Sequence, residues 1–123
     1  MQTWQLQSNN GEPFSLTFDT FDVGRGYNED DDDGDGFIDC DFDYVYISGG
    51  TSSSPQPKNK KHCNHEWSNN FPAGPIPGPF TGTKITVSFT GAGTRTGFLA
   101  VVTGDVTVTT DVTGESGVGK WQM

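Results

Sequence analysis

The chain contains no apolar run long enough to cross a bilayer and no stretch in which apolar residues recur at helical spacing. The first absence argues against membrane insertion through a helix and against a leader peptide, so a mature domain or a piece of a longer protein is expected. Cations are scarce: seven Lys and Arg stand against sixteen Asp and Glu, and a net charge of −9 disfavours nucleic acid as a partner. No N-x-S/T sequon occurs, and no Ser or Cys sits in a recognisable nucleophile setting. Gly91–Gly97 is rich in glycine but lacks the Lys-Ser/Thr ending of a phosphate loop, so it reads as a hairpin turn that binds no nucleotide. An enzyme is not expected.

What the chain does have is turn residues and aromatics. Its 123 residues suit a single domain over 1–123, and nine Phe, three Trp and three Tyr can fill a modest core although only 31% of the chain is hydrophobic. Seventeen Gly, seven Pro and many Thr and Ser predict short strands joined by many turns, an all-β class. Trp4 and Leu6 alternate with polar neighbours, Asn9-Asn10-Gly11 turns, and Phe14, Leu16 and Phe18 follow at period two, a pattern that predicts a hairpin of half-buried strands. Phe21 and Val23 extend the inward face. Tyr44–Ile47, Lys84–Phe89, Phe98–Val102 and Val106–Thr110 read as further strands. After Gly49-Gly50, the Ser- and Pro-rich segment from Thr51 to Pro57 reads as a linker, and residues 49 to 62 are expected to be exposed. Phe71–Gly82 is too rich in Pro and Gly for ladder strands.

Charge is concentrated in one place. Nine of the sixteen acidic residues lie between Glu29 and Asp43, and the other seven balance the seven cations. Asp31, Asp33, Asp35, Gly36 and Asp39 fit D-x-D-x-D-G-x-x-D, the opening of loops that wrap oxygen ligands around Ca2+. Gly36 supplies the sharp turn, Phe37 a backbone carbonyl, and Ile38 an anchor toward the core. The pattern is not a full EF-hand, because Phe42 stands where a bidentate Glu is expected and neither flank reads as helix; Asp41 or Asp43 is left to replace that ligand. The plainer alternative is a solvated acidic loop, which blocks of like charge usually are.

Cys40 and Cys63 suit an oxidised pair in a small secreted β domain, with free thiols as the alternative; a bridge between them would stabilise the fold by about 3 kcal/mol and fix the exit of the acidic loop. Were Cys63 reduced, His62-Cys63-Asn64-His65-Glu66 would offer donors to Zn2+, although H-C-x-H follows no usual zinc spacing and exposed loop residues are the plainer reading. Lys58, Lys60 and Lys61 form a small basic patch, either a contact for an anionic glycan or acidic protein face or simply a solubilising loop.

Several pieces, in order and spacing, resemble the CUB domain, an extracellular β-sandwich. They are Trp4-Gln5-Leu6, Phe14–Phe18 with Phe21-Asp22-Val23, Cys40–Ile47, Gly49-Gly50, Cys63, Thr83–Phe89 and Thr96–Val101, covering about residues 3–102, with 103–123 an additional strand and tail. The resemblance implies a two-sheet antiparallel, jelly-roll-like β-sandwich in which Cys40 and Cys63 form the family's second disulfide. This chain lacks the cysteines of the first disulfide and the usual first strand, and a hypothesis follows that Asp105–Thr110 pairs with the N-terminal strands in its place. Of the acidic ligands that calcium-binding members use, only Asp43 survives; the others align with Gly24 and near Thr90 and Gly91. A relocated Ca2+ site is therefore expected, with Asp31, Asp33, Asp35 and Asp39 as side-chain ligands, Phe37 as a carbonyl ligand and Asp43 shared with the family's position. Family sites often offer a carboxylate to a partner's Lys, a role open here to Asp32 or Asp41.

The expected function is an extracellular, calcium-binding interaction module that presents loops to a protein or glycan. Two alternatives belong to other classes: a carbohydrate-binding module in which Trp67, Trp121 or Tyr27 stacks on sugar rings, and a structural subunit that self-associates through a sheet edge in a calcium-stiffened assembly.

Overall fold

A computed structural model describes residues 2–23, 40, 44–63, 77–90, 97–110 and 119–122, with side chains left out at 22, 97, 110 and 119–122. Its strands are β1 (Gln2–Ser8), β2 (Phe14–Asp22), β3 (Tyr44–Ser48), β4 (Lys61–His62), β5 (Phe80–Gly82), β6 (Lys84–Thr90), β7 (Gly97–Thr103), β8 (Val106–Thr110) and β9 (Gly119–Gln122). They form a five-stranded sheet in the order β4-β3-β6-β1-β8 and a four-stranded sheet in the order β5-β2-β7-β9. The all-β, two-sheet architecture expected from the sequence is the one found. Every pairing is antiparallel except β7 with β9. β8 pairs with β1 in the five-stranded sheet, whereas β9 pairs in parallel with β7 in the four-stranded one.

Period-two alternation decides which side chains face inward. Trp4 and Leu6 of β1, Val45 and Ile47 of β3, Ile85 and Val87 of β6, and Phe98, Ala100 and Val102 of β7 are buried in one apolar cluster. In β2 the inward set is Phe14, Leu16 and Phe18, then Phe21, with Val23 just beyond the strand. Phe18 lies opposite Ala100 and Thr20 opposite Leu99, so Asp19 is an extra residue, and this bulge shifts the alternation by one and returns Phe21 to the core. The two sheets meet around Phe98, whose ring lies 5.6 Å from Trp4 on the opposite sheet, 5.4 Å from Phe18 in near-perpendicular contact, and 6.0 Å from Phe89.

Four expectations need correction. The β1–β2 hairpin does not form: β1 pairs with β6 and β8, and β2 with β5 and β7, so the turn at residues 9–13 carries the chain from one sheet to the other. The same holds for β6 and β7, whose connection at 91–96 lies outside the described residues but joins strands of different sheets rather than a hairpin. Phe80–Gly82, within the segment judged unfit for ladder strands, pairs with Phe14–Leu16 as β5. The last proline before it is Pro79, so these three residues keep their N–H donors, and buried Phe80 anchors them. Residues 49–62 are not uniformly exposed: Pro57 is buried, and Lys61 and His62 pair with β3.

The expected pairing of 105–110 with the N-terminal strand is present, with Val106–Thr110 running antiparallel to Trp4–Ser8. Gly49, at φ +92°, ends β3; a Cβ there would lie 2.5 Å from the Lys84 carbonyl oxygen, so this turn admits only glycine. Because Phe98 makes the cross-sheet aromatic contacts, Phe98→Ala is expected to cost about 3–5 kcal/mol in urea unfolding. A loss below about 1 kcal/mol would contradict its central place in the core.

Candidate functional site

The acidic run connects the two sheets. β2 ends at Asp22, followed by fully buried Val23, and β3 begins at Tyr44 in the opposite sheet. Asp22 lies opposite Gly97 and Tyr44 opposite Thr90, so the 24–43 and 91–96 connections leave the sandwich at the same end. The expected calcium ligands Asp31, Asp33, Asp35, Phe37, Asp39 and Asp43 lie outside the described residues, as do the expected partner contacts Asp32, Asp41 and Trp67, and Tyr27. Trp121 belongs to β9, where only the backbone is described. Among the described residues no group of three or more His, Cys, Asp or Glu side chains is placed to share a metal ion.

The frame around the run is described. Cys40 and Cys63 form a disulfide with Cα atoms 6.0 Å apart, and both residues are buried. Cys63 directly follows β4, whose Lys61 and His62 pair with Tyr46 and Val45. The C-terminal part of the run is thus held twice, by the bridge at Cys40 and by the β3 ladder from Tyr44 onward. The free-thiol alternative is excluded, and the zinc reading falls with it, because a disulfide sulfur is not the thiolate that zinc requires. Next to Tyr44 in the ladder, the Thr90 hydroxyl is buried without a hydrogen-bond partner among the described residues.

A second cluster lies toward the other end of β3, and the sequence reading passed over most of it. The loop after Gly50 is stapled by its own polar groups. Thr51 exchanges two 2.9 Å backbone hydrogen bonds with Thr81, Gln56 Nε2 donates to the Ser54 carbonyl at 3.2 Å, and the Lys60 amide donates to the Pro57 carbonyl at 3.0 Å. The Lys60 carbonyl in turn accepts from the Ile47 amide at 3.1 Å, and Lys60 holds a left-handed φ of +61°, uncommon for a residue other than glycine. His62 packs edge-on against Phe80 across the sheets with centroids 6.0 Å apart, and burial lowers its pKa from 6.5 to about 4. The Lys61 ammonium stands 4.6 Å from the Tyr44 ring centroid. Between this loop and the sheets is a cavity of about 160 Å³ whose walls include Ser52, Gln56, Lys58, Lys60, His62 and Phe80.

The signal that could have found this cluster is Cys63. Bridging it to Cys40 obliges the preceding residues to return alongside β3, which turns an apparent linker into an organised loop. Comparison of the chain with models of protein families, with curated proteins and with solved structures finds no match.

Two outcomes follow. Replacing both Cys40 and Cys63 with Ser is expected to lower stability by about 3 kcal/mol on the chain-entropy estimate for a separation of 23 residues, read by denaturant unfolding without reductant; a variant as stable as the parent would contradict this. For His62 the folded pKa lies below the unfolded one, so its contribution is complete above pH 6.5 and is lost as pH falls toward 4, where the unfolded chain takes up the proton first. From pH 7 to 5.5 the parent should lose about 1 kcal/mol more than His62→Gln, and equal losses would show that the imidazole is not buried in solution.

Proposed function

We propose that the chain is an extracellular, non-catalytic interaction module whose acidic crossover binds Ca2+ and, once ordered, presents its carboxylates to a protein or glycan partner. One observation carries this reading. Nine carboxylates fall in fifteen residues of a segment that starts from buried Val23 and finishes at the Cys40 bridge and the β3 ladder. Confining that much negative charge between fixed ends is unfavourable unless a cation offsets the repulsion, and the D-x-D-x-D-G spacing supplies oxygen ligands at the intervals a calcium loop uses. Asp31, Asp33, Asp35 and Asp39 would hold the ion with the Phe37 carbonyl, and Asp43, next to the start of β3, would complete the set. Asp32 and Asp41, left off the ion, would face a partner's Lys or Arg. The disulfide is compatible with an oxidising, extracellular setting, and the CUB resemblance rests on the sequence pieces quoted for it.

An ion that binds only the folded state raises apparent stability by mass action. Millimolar Ca2+ is expected to raise the midpoint of thermal unfolding by several degrees over chelator under non-reducing conditions, a gain that disappears in Asp33→Asn/Asp35→Asn. No shift in the parent, or the same shift in the variant, would return the run to a solvated charge segment.

A further inference from the structure

The cavity under the loop that follows β3 is walled by both sheets and by the loop itself. Phe80 of β5 and Ile47 of β3 belong to the core cluster, and Pro57 is buried within the loop, so one side of the cavity is apolar. Ser52, Gln56 and His62 form the polar side, and none of the three is charged at neutral pH, because burial keeps the imidazole unprotonated. Lys58 and Lys60 are wall residues too, but both are exposed and Lys58 already has an interaction partner, so neither is counted among the groups a ligand meets inside. An ion of either sign would give up its water here without meeting a counter-charge in the interior, which favours an uncharged occupant.

Two of the polar groups are unmet. Gln56 Oε1 is shielded from water and accepts no hydrogen bond, while Nε2 donates to the Ser54 carbonyl at 3.2 Å. Leaving such an acceptor without a donor is unfavourable, and the last torsion of a Gln side chain is broad, so a small turn of the amide brings Oε1 to a hydroxyl offered from the cavity. The His62 ring packs against Phe80, and its two nitrogens, one donor and one acceptor, form no hydrogen bond among the described residues. A cavity of about 150 Å³ can hold a benzene ring, so about 160 Å³ admits one six-membered ring and less than a drug-sized ligand. Backbone hydrogen bonds from Thr51 to Thr81 and from Lys60 to Pro57 and Ile47 hold the loop, which leaves little ordering to be done when a ligand enters.

We propose that this cavity binds a neutral hexopyranose unit, with the C–H face of the sugar ring against Phe80 and its hydroxyls toward Gln56, His62 and Ser52. A hydroxyl both donates and accepts, which suits an unmet amide oxygen and a neutral imidazole together. A purely apolar ring would leave those groups unpaired, and an open-chain polyol would leave the Phe80 side unused. The same ring can come as a free sugar or as the end of a neutral glycan. The site uses no residue of the acidic crossover and does not rest on the calcium reading.

The test is a titration of the full chain, followed by amide NMR, with glucose, galactose and mannose as probes and glycerol, cyclohexanol and N-acetyltyrosinamide as controls. At least one hexose is expected to shift the signals of Gln56, His62 and Phe80 saturably, with a millimolar dissociation constant and with every control at least about fivefold weaker. Gln56→Ala, checked by its spectrum to be folded, is expected to weaken that hexose about threefold to tenfold, the worth of one hydrogen bond. Chelator is expected to leave the binding unchanged, which separates its failure from failure of the calcium reading. The trisaccharide of the same sugar binding as well as the hexose identifies a glycan end as the source, and its exclusion identifies the free sugar. The proposal is overturned by the absence of saturable shifts with all three hexoses, by any control binding as well as the best hexose, by unchanged affinity in Gln56→Ala, or by loss of the binding in chelator.

Discussion

Cross-sheet burial around Phe98 is the contact on which the rest of the molecule depends. A chain with so little apolar content has few large side chains to spare, and it places several of them where the two sheets meet. Trp4, Phe18 and Phe89 surround Phe98, with edge-on geometry for the first two, so the aromatic quadrupoles add to the area buried. The bulge at Asp19 serves the same contact, since without the added residue Phe21 would point to solvent. Because β2 and β3 lie in different sheets, their spacing is fixed by this packing, and so are the two anchors of the acidic crossover.

On that frame the crossover of nine acidic residues enters β3 at Tyr44, and the loop after β3 returns alongside the same strand, with the Lys61 ammonium over the Tyr44 ring. The Cys40–Cys63 bridge belongs to both regions, because it fixes the C-terminal part of the acidic run and closes the loop that returns through Lys60, Lys61 and His62. A single covalent link thus ties the acidic run to the loop that returns alongside β3.

Alternation made the longer strands legible. Trp4 and Leu6, Val45 and Ile47, Ile85 and Val87, and Phe98, Ala100 and Val102 face the core as their spacing requires. Period two tells which face is buried but not which strand is the neighbour, and this is why the turn at residues 9–13 read as a hairpin when it is a crossing between sheets. β4 and β5, with two and three residues, are too short to show any period and are fixed by tertiary contacts, Phe80 in the core and the disulfide at Cys63. The acidic run announced itself through charge density and spacing. His62 and Gln56 did not, because a Ser- and Pro-rich context reads as linker, and only their place beneath Phe80 and beside Lys60 gives them a shared cavity.

The central claim is that calcium orders the acidic crossover on a sandwich that is already folded without it. Amide hydrogen exchange, followed residue by residue with Ca2+ and with chelator, tests this most directly. The account predicts slower exchange confined to residues 24–43 and their immediate neighbours, with the core of β1, β6 and β7 equally protected in both conditions. Unchanged exchange across 24–43 on adding Ca2+ would contradict it, as would protection gained throughout the strands.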